Sequence, residues 1–216
     1  MAEARRHEPS PAVRALLVVA LPGEAWPLIR RMRGRRRLGR GLVIGRLGGA
    51  PVALLRCGVG RENARERTAE ALARLSAERV VSLGTCGALV DSLLVGSAVQ
   101  ARALLDLDRA PALLPLGLRA VVLATVPRVV ASPASREAWA ARGAEICEME
   151  AAGVAEAAGD LPFSALKVVS DLAGGRPSRL WRLPRSVGVS VFQLMAARGV
   201  ARALVPPLEG WLRAGG

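Results

Sequence analysis

The residues best suited to chemistry lie in one stretch, Glu145 to Ala173, EICEMEAAGVAEAAGDLPFSALKVVSDLA. An acidic cluster opens a small-residue segment expected to be a helix over 146–158, a turn follows, and an apolar strand ends on Ser170-Asp171. A carboxylate where a buried strand leaves the sheet stands where open α/β folds collect their ligands. Glu148 and Glu150 are two positions apart and do not share a helical face, so one is expected to point inward and the other into solvent. Each carboxylate also has a purely structural reading. Asp171 would cap a helix after the strand, and Glu148 and Glu150 would favour a helix N-terminus.

The rest of the composition removes rival chemistries. His7 is the only histidine, and Cys57, Cys86 and Cys147 lack metal-ligand spacing. A zinc site, a Cys-His dyad and a Ser-His-Asp triad are therefore excluded, and three reduced, buried thiols are expected. The net charge of +13 invites an anionic partner,. Aromatic residues make up only 3% of the chain and tyrosine is absent, so base-stacking platforms are short of material and no nucleic-acid partner is expected,. The block Arg30–Arg40, RRMRGRRRLGR, reads as a solvated linker between two strands that could touch phosphates or lipid headgroups. No apolar run reaches the roughly 18–20 residues of a spanning helix, and the polar start has no apolar core like that of a signal peptide, so the cytoplasm is expected.

These residues need elements to hold them. Ala15–Leu21 is a continuous apolar run closed by Pro22-Gly23, read as a buried first strand followed by a helix carrying Glu24,. Segments 41–47 and 51–56 suit a hairpin with Gly48-Gly49 at its turn,. Arg61–Leu75 has helical periodicity, and Arg79–Leu83 is a further buried strand running into a turn at Gly84-Thr85-Cys86-Gly87,. Strand segments are expected within 95–105 and over 120–124, with a compact connection over 106–118 and a short helix or turn over 136–142. An amphipathic helical tail covers 184–212, broken at Pro206-Pro207,. Apolar strands alternating with helices predict an α/β sandwich with a covered sheet, a loose tail over 1–14 and one domain over 15–216.

Four strand exits carry glycine or small polar groups: Leu21–Glu24, Cys57–Gly60, Gly84–Gly87 and Ser170-Asp171. Glycine lets backbone N–H groups approach a ligand closely. Alone, Gly58-Val59-Gly60 is an ordinary tight turn, since the third glycine of a dinucleotide fingerprint is missing,. Together the segments LLVVALPGEAWPLI, PVALLRCGVGRENA, SLGTCGAL with LLVG, EMEAAGVA and KVVSDLA, in that order, resemble the purine nucleoside phosphorylase/uridine phosphorylase family. Within it the chain is most similar to the 5′-methylthioadenosine/S-adenosylhomocysteine nucleosidases.

The resemblance implies a three-layer α/β sandwich with a central mixed, twisted sheet. It also implies cleavage of the N-ribosidic bond of an adenine nucleoside or 5′-substituted adenosine without metal or organic cofactor, and a homodimer. In that reading Asp171 protonates the departing base, helped by an apolar approach strand that would desolvate it. Glu24 activates water with Lys167 nearby. Glu150 accepts the ribose hydroxyls, Met149 packs on the sugar, and Thr85, Cys86, Gly87 and Ser170 line the site. Val129 and Val130 fall near the purine wall, where no aromatic residue is expected.

Phosphorylases of the family hold phosphate with an arginine-bearing turn after the first strand and an arginine before the central glycine. Here Glu24 and Ser82 stand in those places, which favours water as nucleophile,. Arg56 or another arginine reaching in would restore phosphorolysis. The stretch between Gly96 and Val121 is shorter than in typical nucleosidases, by about one βαβ unit. Such an open pocket is also similar to phosphorylases acting on an adenosyl lipid, and a noncatalytic nucleoside-binding member, with contact to an anionic membrane surface, stays open.

Overall fold

The computed structural model describes residues 10–130, 132–171 and 195–214. Eleven strands and five helices follow one another through these residues. In chain order they are β1 (Ala12–Val13), β2 (Ala15–Val19), α1 (Pro22–Arg31), β3 (Arg33–Gly39), β4 (Leu42–Leu47), β5 (Ala50–Arg56), α2 (Arg61–Leu72) and β6 (Ser76–Ala77). Then come β7 (Val80–Ala88), β8 (Ala98–Leu104), β9 (Arg119–Thr125), α3 (Pro133–Ala141), β10 (Ile146–Glu148), α4 (Ala151–Ala158), β11 (Phe163–Asp171) and α5 (Val205–Ala214). The order of strand, turn and helix is imposed by apolar runs: β2 is buried at all five positions because both faces of the sheet are covered,.

Nine strands form one mixed sheet in the order β10-β9-β8-β11-β7-β2-β5-β4-β3. β10 also pairs antiparallel with β7, through Ile146↔Ala88 and Cys147↔Gly87, while running parallel to β9. Five strands (β7, β11, β8, β9 and β10) thus close into a small barrel, from which β2, β5, β4 and β3 extend as an open sheet. One face carries α2 and α4 over a core that includes Leu16, Val18, Leu55 and Phe163. The other is covered by α1 and the C-terminal helical segment over Leu17, Leu54, Val81 and Leu166. The two-layer core flanked by helices is the expected sandwich, with its mixed sheet.

Local readings differ in five places. Ile146–Glu148 is a strand rather than the start of a helix, because it closes the barrel between β7 and β9. Gly84–Gly87 is no turn; it continues β7, paired with Lys167–Asp171 of β11. The arginine block is an exposed edge strand, β3, and not a linker. Ala12–Val13, expected in the tail, pair with β6. The prolines at 206–207 do not break the C-terminal helix: residues 195–199 are helical, a π-helical stretch covers Val200–Leu204, and α5 begins at Val205. The wider turn accommodates bonds that proline cannot donate. Residues 184–194 of the expected tail helix lie outside the described residues.

The connection between β8 and β9 has no helix. It is pinned instead by side chain and backbone, with Gln100 accepting from Leu114 N–H at 3.0 Å and donating to Leu118 O at 3.2 Å. Ser164 adds a bond to Ala112 O at 2.7 Å. Buried polar groups inside the connection are thereby satisfied without a crossover helix.

Candidate active site

The C-terminal ends of β2, β5, β9, β10 and β11 and the last residues of β7 meet on one side of the sheet, and the candidate residues lie there. Glu24 enters from the first turn of α1, one turn past the end of β2, and is buried. Its Oε2 accepts from Ala20 N–H (3.2 Å) and Leu21 N–H (3.0 Å), and its Oε1 from Thr85 N–H (2.9 Å) and Thr85 Oγ1 (3.1 Å). Four donors fill the acceptor capacity of a carboxylate. Three are fixed backbone or neighbouring N–H groups, whereas the Thr85 hydroxyl can rotate away to admit a water. Gly84 is required by this approach, since a Cβ there would lie 2.7 Å from Glu24 Oε1.

Glu148 and Glu150 both turn inward. Glu148, the last residue of β10, accepts from Thr125 Oγ1 at 2.8 Å and from the N–H groups of Glu150 and Ala151 at 3.0–3.1 Å. It therefore seats the N-terminus of α4 and forms a 2.9 Å ion pair with Lys167 Nζ, both side chains being almost wholly buried. Lys167 also donates to Ser82 Oγ at 3.0 Å. Burial opposes the lysine's charge, yet Glu148 and then Glu150 outweigh it and raise its pKa,. The expectation that one of the two glutamates is solvated fails because neither lies inside a helix: one ends a strand and the next-but-one residue is the helix cap.

Glu150 accepts from Gly60 N–H at 2.9 Å, joining the β5 exit to α4. Burial, with the Glu148 charge adding to it, pushes its carboxyl up to about 7,. Met149 is half-buried and packs against a buried cluster that includes Val130 and Cys147. Val130 thus shares a cluster with Met149, but Val129 is 54% exposed and lies apart. Trp139 of α3 packs against the same cluster.

Asp171 stands at the end of β11, beside Gly87, whose absent Cβ would lie 3.4 Å from its carboxylate oxygens. Ser170 Oγ donates to Cys86 O at 2.9 Å and sits 3.0 Å from Asp171 Oδ1. Asp171 is not buried as the apolar strand led one to expect: its side chain is 46% exposed, because the strand's apolar residues end before it reaches the mouth of the site. Arg136 of α3 instead pairs with Asp171 Oδ2 and donates to Ala88 O at 3.2 Å. The three thiols are buried and unbonded to one another. Burial pushes Cys57 and Cys147 up to about 12 and Cys86 well above the usual thiol range, so none serves as a nucleophile near neutrality,.

Sequence reasoning missed Arg136, Thr125, Gly60 as an N–H donor and the inward Glu148. The only signal for Gly60 was its place before a helix; Arg136 and Thr125 carry no motif and are assembled by α3 and the barrel. Arg56, the arginine that could have brought phosphate, is exposed and lines a groove between α1 and β3–β5, outside this cluster.

Residues 14–117 match the family model described as the phosphorylase superfamily. Across 94% of this chain and 99% of the other, the structure superposes with a TM-score of 0.74 at 20% identity on a 5′-methylthioadenosine/S-adenosylhomocysteine nucleosidase from Streptococcus pneumoniae with the transition-state inhibitor MT-ImmA. This chain has the phosphorylase-superfamily fold. The nucleosidase of Colwellia psychrerythraea, in complex with adenine, gives the same TM-score and identity over 93% of this chain and 96% of that one. That of Neisseria meningitidis, with methylthio-immucillin-A, gives 0.71 at 21% identity over 92% and 100%. No curated protein sequence matches the chain. Within the phosphorylase-superfamily fold, the match over 14–117 covers Glu24 and Gly84–Gly87, while Glu150 and Asp171 lie beyond it.

Proposed function

We propose that the protein cleaves the N-ribosidic bond of a purine nucleoside, adenosine or a 5′-substituted adenosine, releasing free base with water as nucleophile. The observation that carries this reading is the convergence of Glu24, Glu150 and Asp171 around the end of β7, where the nearby cations among the described residues are already paired, Lys167 by Glu148 and Arg136 by Asp171. A dianionic phosphate would meet Glu24 and Glu150 without a free positive ligand among the described residues, which disfavours phosphorolysis. The solved nucleosidases with adenine and with MT-ImmA support the same substrate class.

In this mechanism the ribose lies over Met149 and donates its hydroxyls to Glu150, held by Gly60 N–H. Water takes the Glu24 acceptor site that Thr85 Oγ1 occupies in the free protein. As the glycosidic bond breaks and positive charge grows on the sugar, Glu24 accepts the water's proton and the two glutamates stabilise the developing cation. Asp171, freed from Arg136 by the entering base, delivers a proton to the purine so that it leaves neutral. Asp171 is at the mouth of the site, so this proton can be resupplied from solvent.

The test is release of free base from adenosine, methylthioadenosine and adenosylhomocysteine, with and without phosphate. Turnover without phosphate, yielding free ribose product, is expected; strict phosphate dependence with ribose 1-phosphate would overturn hydrolysis. Asp171→Asn is expected to lose on the order of 100-fold or more in kcat with its fold intact, the usual weight of a general acid. Near-normal turnover would remove Asp171 from the mechanism.

A further inference from the structure

The strongest feature unused by the site is the edge of the sheet formed by α1 and β3–β5. Between Ala25 and Gly60 the chain has nine arginines and neither an aspartate nor a glutamate, and all nine arginines are exposed. Composition alone does not produce this. On α2 the arginines alternate with acids and pair with them, Arg65 with Glu62 and Arg67 with Glu70. Along the edge, among the described residues, only Arg31 finds an acidic partner, Glu209. Arg33 even stands directly opposite Arg46 in the β3–β4 register, a like-charge pairing that costs stability unless an anion bridges it,.

Within this basic field lies an apolar groove of about 380 Å³, lined by Trp26, Ile29, Val43 and Leu54, with Arg37 and Arg56 on its walls. Trp26 is 55% exposed, and the Arg30 guanidinium lies 5.9 Å from its ring. Arg35 reaches across to Ile29 O at 3.2 Å, so helix and edge strand form one continuous surface. Arginines on an edge strand also guard against strand-to-strand aggregation. That role would explain β3; it leaves unexplained the missing acids on β4, β5 and the part of α1 after Glu24, and the exposed tryptophan at their centre.

We propose that this face docks on an anionic phospholipid bilayer. The arginines would meet headgroup phosphates, and Trp26 with Ile29 would enter the interface, where an amphipathic ring ringed by cations is favoured. A nucleic acid offers the phosphates but nothing apolar for the groove, and a single tryptophan makes no stacking platform. The bilayer supplies both. Pro22, which also lines the groove, is two residues from Glu24, so docking would bring the mouth of α1's first turn close to the membrane surface.

The test is sedimentation of the full chain with vesicles, without nucleoside, so that its outcome is independent of the proposed reaction. Vesicles of phosphatidylglycerol mixed with phosphatidylcholine are expected to carry the protein down at about 0.1 M salt and release it at about 1 M, where screening shortens to roughly 3 Å. Pure phosphatidylcholine should not bind. The emission blue shift on binding is expected to shrink in Trp26→Ala, and Arg35→Gln with Arg37→Gln and Arg56→Gln should lower partitioning by on the order of 100-fold while the melting temperature and base release stay near wild type. The proposal is overturned by failure to bind the anionic vesicles, by equal binding to the neutral ones, or by an unchanged triple variant. Tighter binding to duplex DNA or to RNA than to vesicles at the same salt would overturn it in favour of nucleic acid.

Discussion

Lys167 shows what the sequence could and could not say about single residues. A lone lysine on an apolar strand pointed to a site, but its partner was invisible, because Glu148 reaches it only through the pairing of β10 with β7 and of β7 with β11. Its ammonium is buried against Glu148 and Ser82 and does not bond Glu24 directly. Removing one member of a buried pair strands the other charge, typically at a cost of about 3–5 kcal/mol. Lys167→Met is therefore expected to destabilise the protein by that order, read from chemical denaturation at neutral pH, and Lys167→Met combined with Glu148→Gln should recover part of the loss. A single variant as stable as wild type would show that Glu148 finds another partner. Glu24, Glu150 and Asp171 were legible as types at spaced strand exits; Arg136 and Thr125 were not, since their roles come from α3 and the barrel rather than from neighbours in sequence.

At the scale of elements, the contact between α2 and α4 fixes the Glu150 side of the site, where the proposed reaction would hold the ribose. Gly153 makes it possible: a Cβ there would lie 2.0 Å from Arg61 O and 3.1 Å from Arg65 N, both backbone atoms that cannot turn aside. The same helix pair carries Gly60 N–H to Glu150. Gly153→Ala must push α2 away from α4, and overpacking of this kind usually costs about 1–3 kcal/mol. We expect a lower melting temperature together with a higher KM, since the Gly60–Glu150 bond opens as α2 moves. An unchanged KM alongside lost stability would separate the two helices' packing from substrate binding. Element types in the open sheet were readable from apolar runs such as ALLVV and the Gly48-Gly49 hairpin. The barrel was not, because ICE has helix-forming neighbours and becomes a strand only when β7 and β9 are both present to pair with it. Likewise the glycines of Gly84–Gly87 suggested a turn, whereas they serve the approach of Glu24 and Asp171 to a continuing strand.

For the molecule as a whole, Glu150 ties stability to the state of the site. Its folded carboxyl titrates near 7 against an ordinary value of 4.5. Between those values the folded protein holds a proton that the unfolded chain has released, so stability falls as pH rises through this window. The loss is complete above about 7 and amounts to roughly 3 kcal/mol, at about 1.4 kcal/mol per pKa unit. The +13 charge works in the opposite direction, since acidification adds positive charge and self-repulsion,. Glu150→Gln isolates the two effects because it keeps the neutral form at every pH. Its stability relative to wild type should be flat below about 4.5, climb through the window and level off above 7. A nucleoside whose hydroxyls donate to the ionised carboxylate should oppose this trend, raising the melting temperature of wild type more at pH 8 than at pH 5.5, and of Glu150→Gln equally little at both. Parallel stability curves for the two proteins would place Glu150's proton elsewhere, and with it the link between ribose binding and folding.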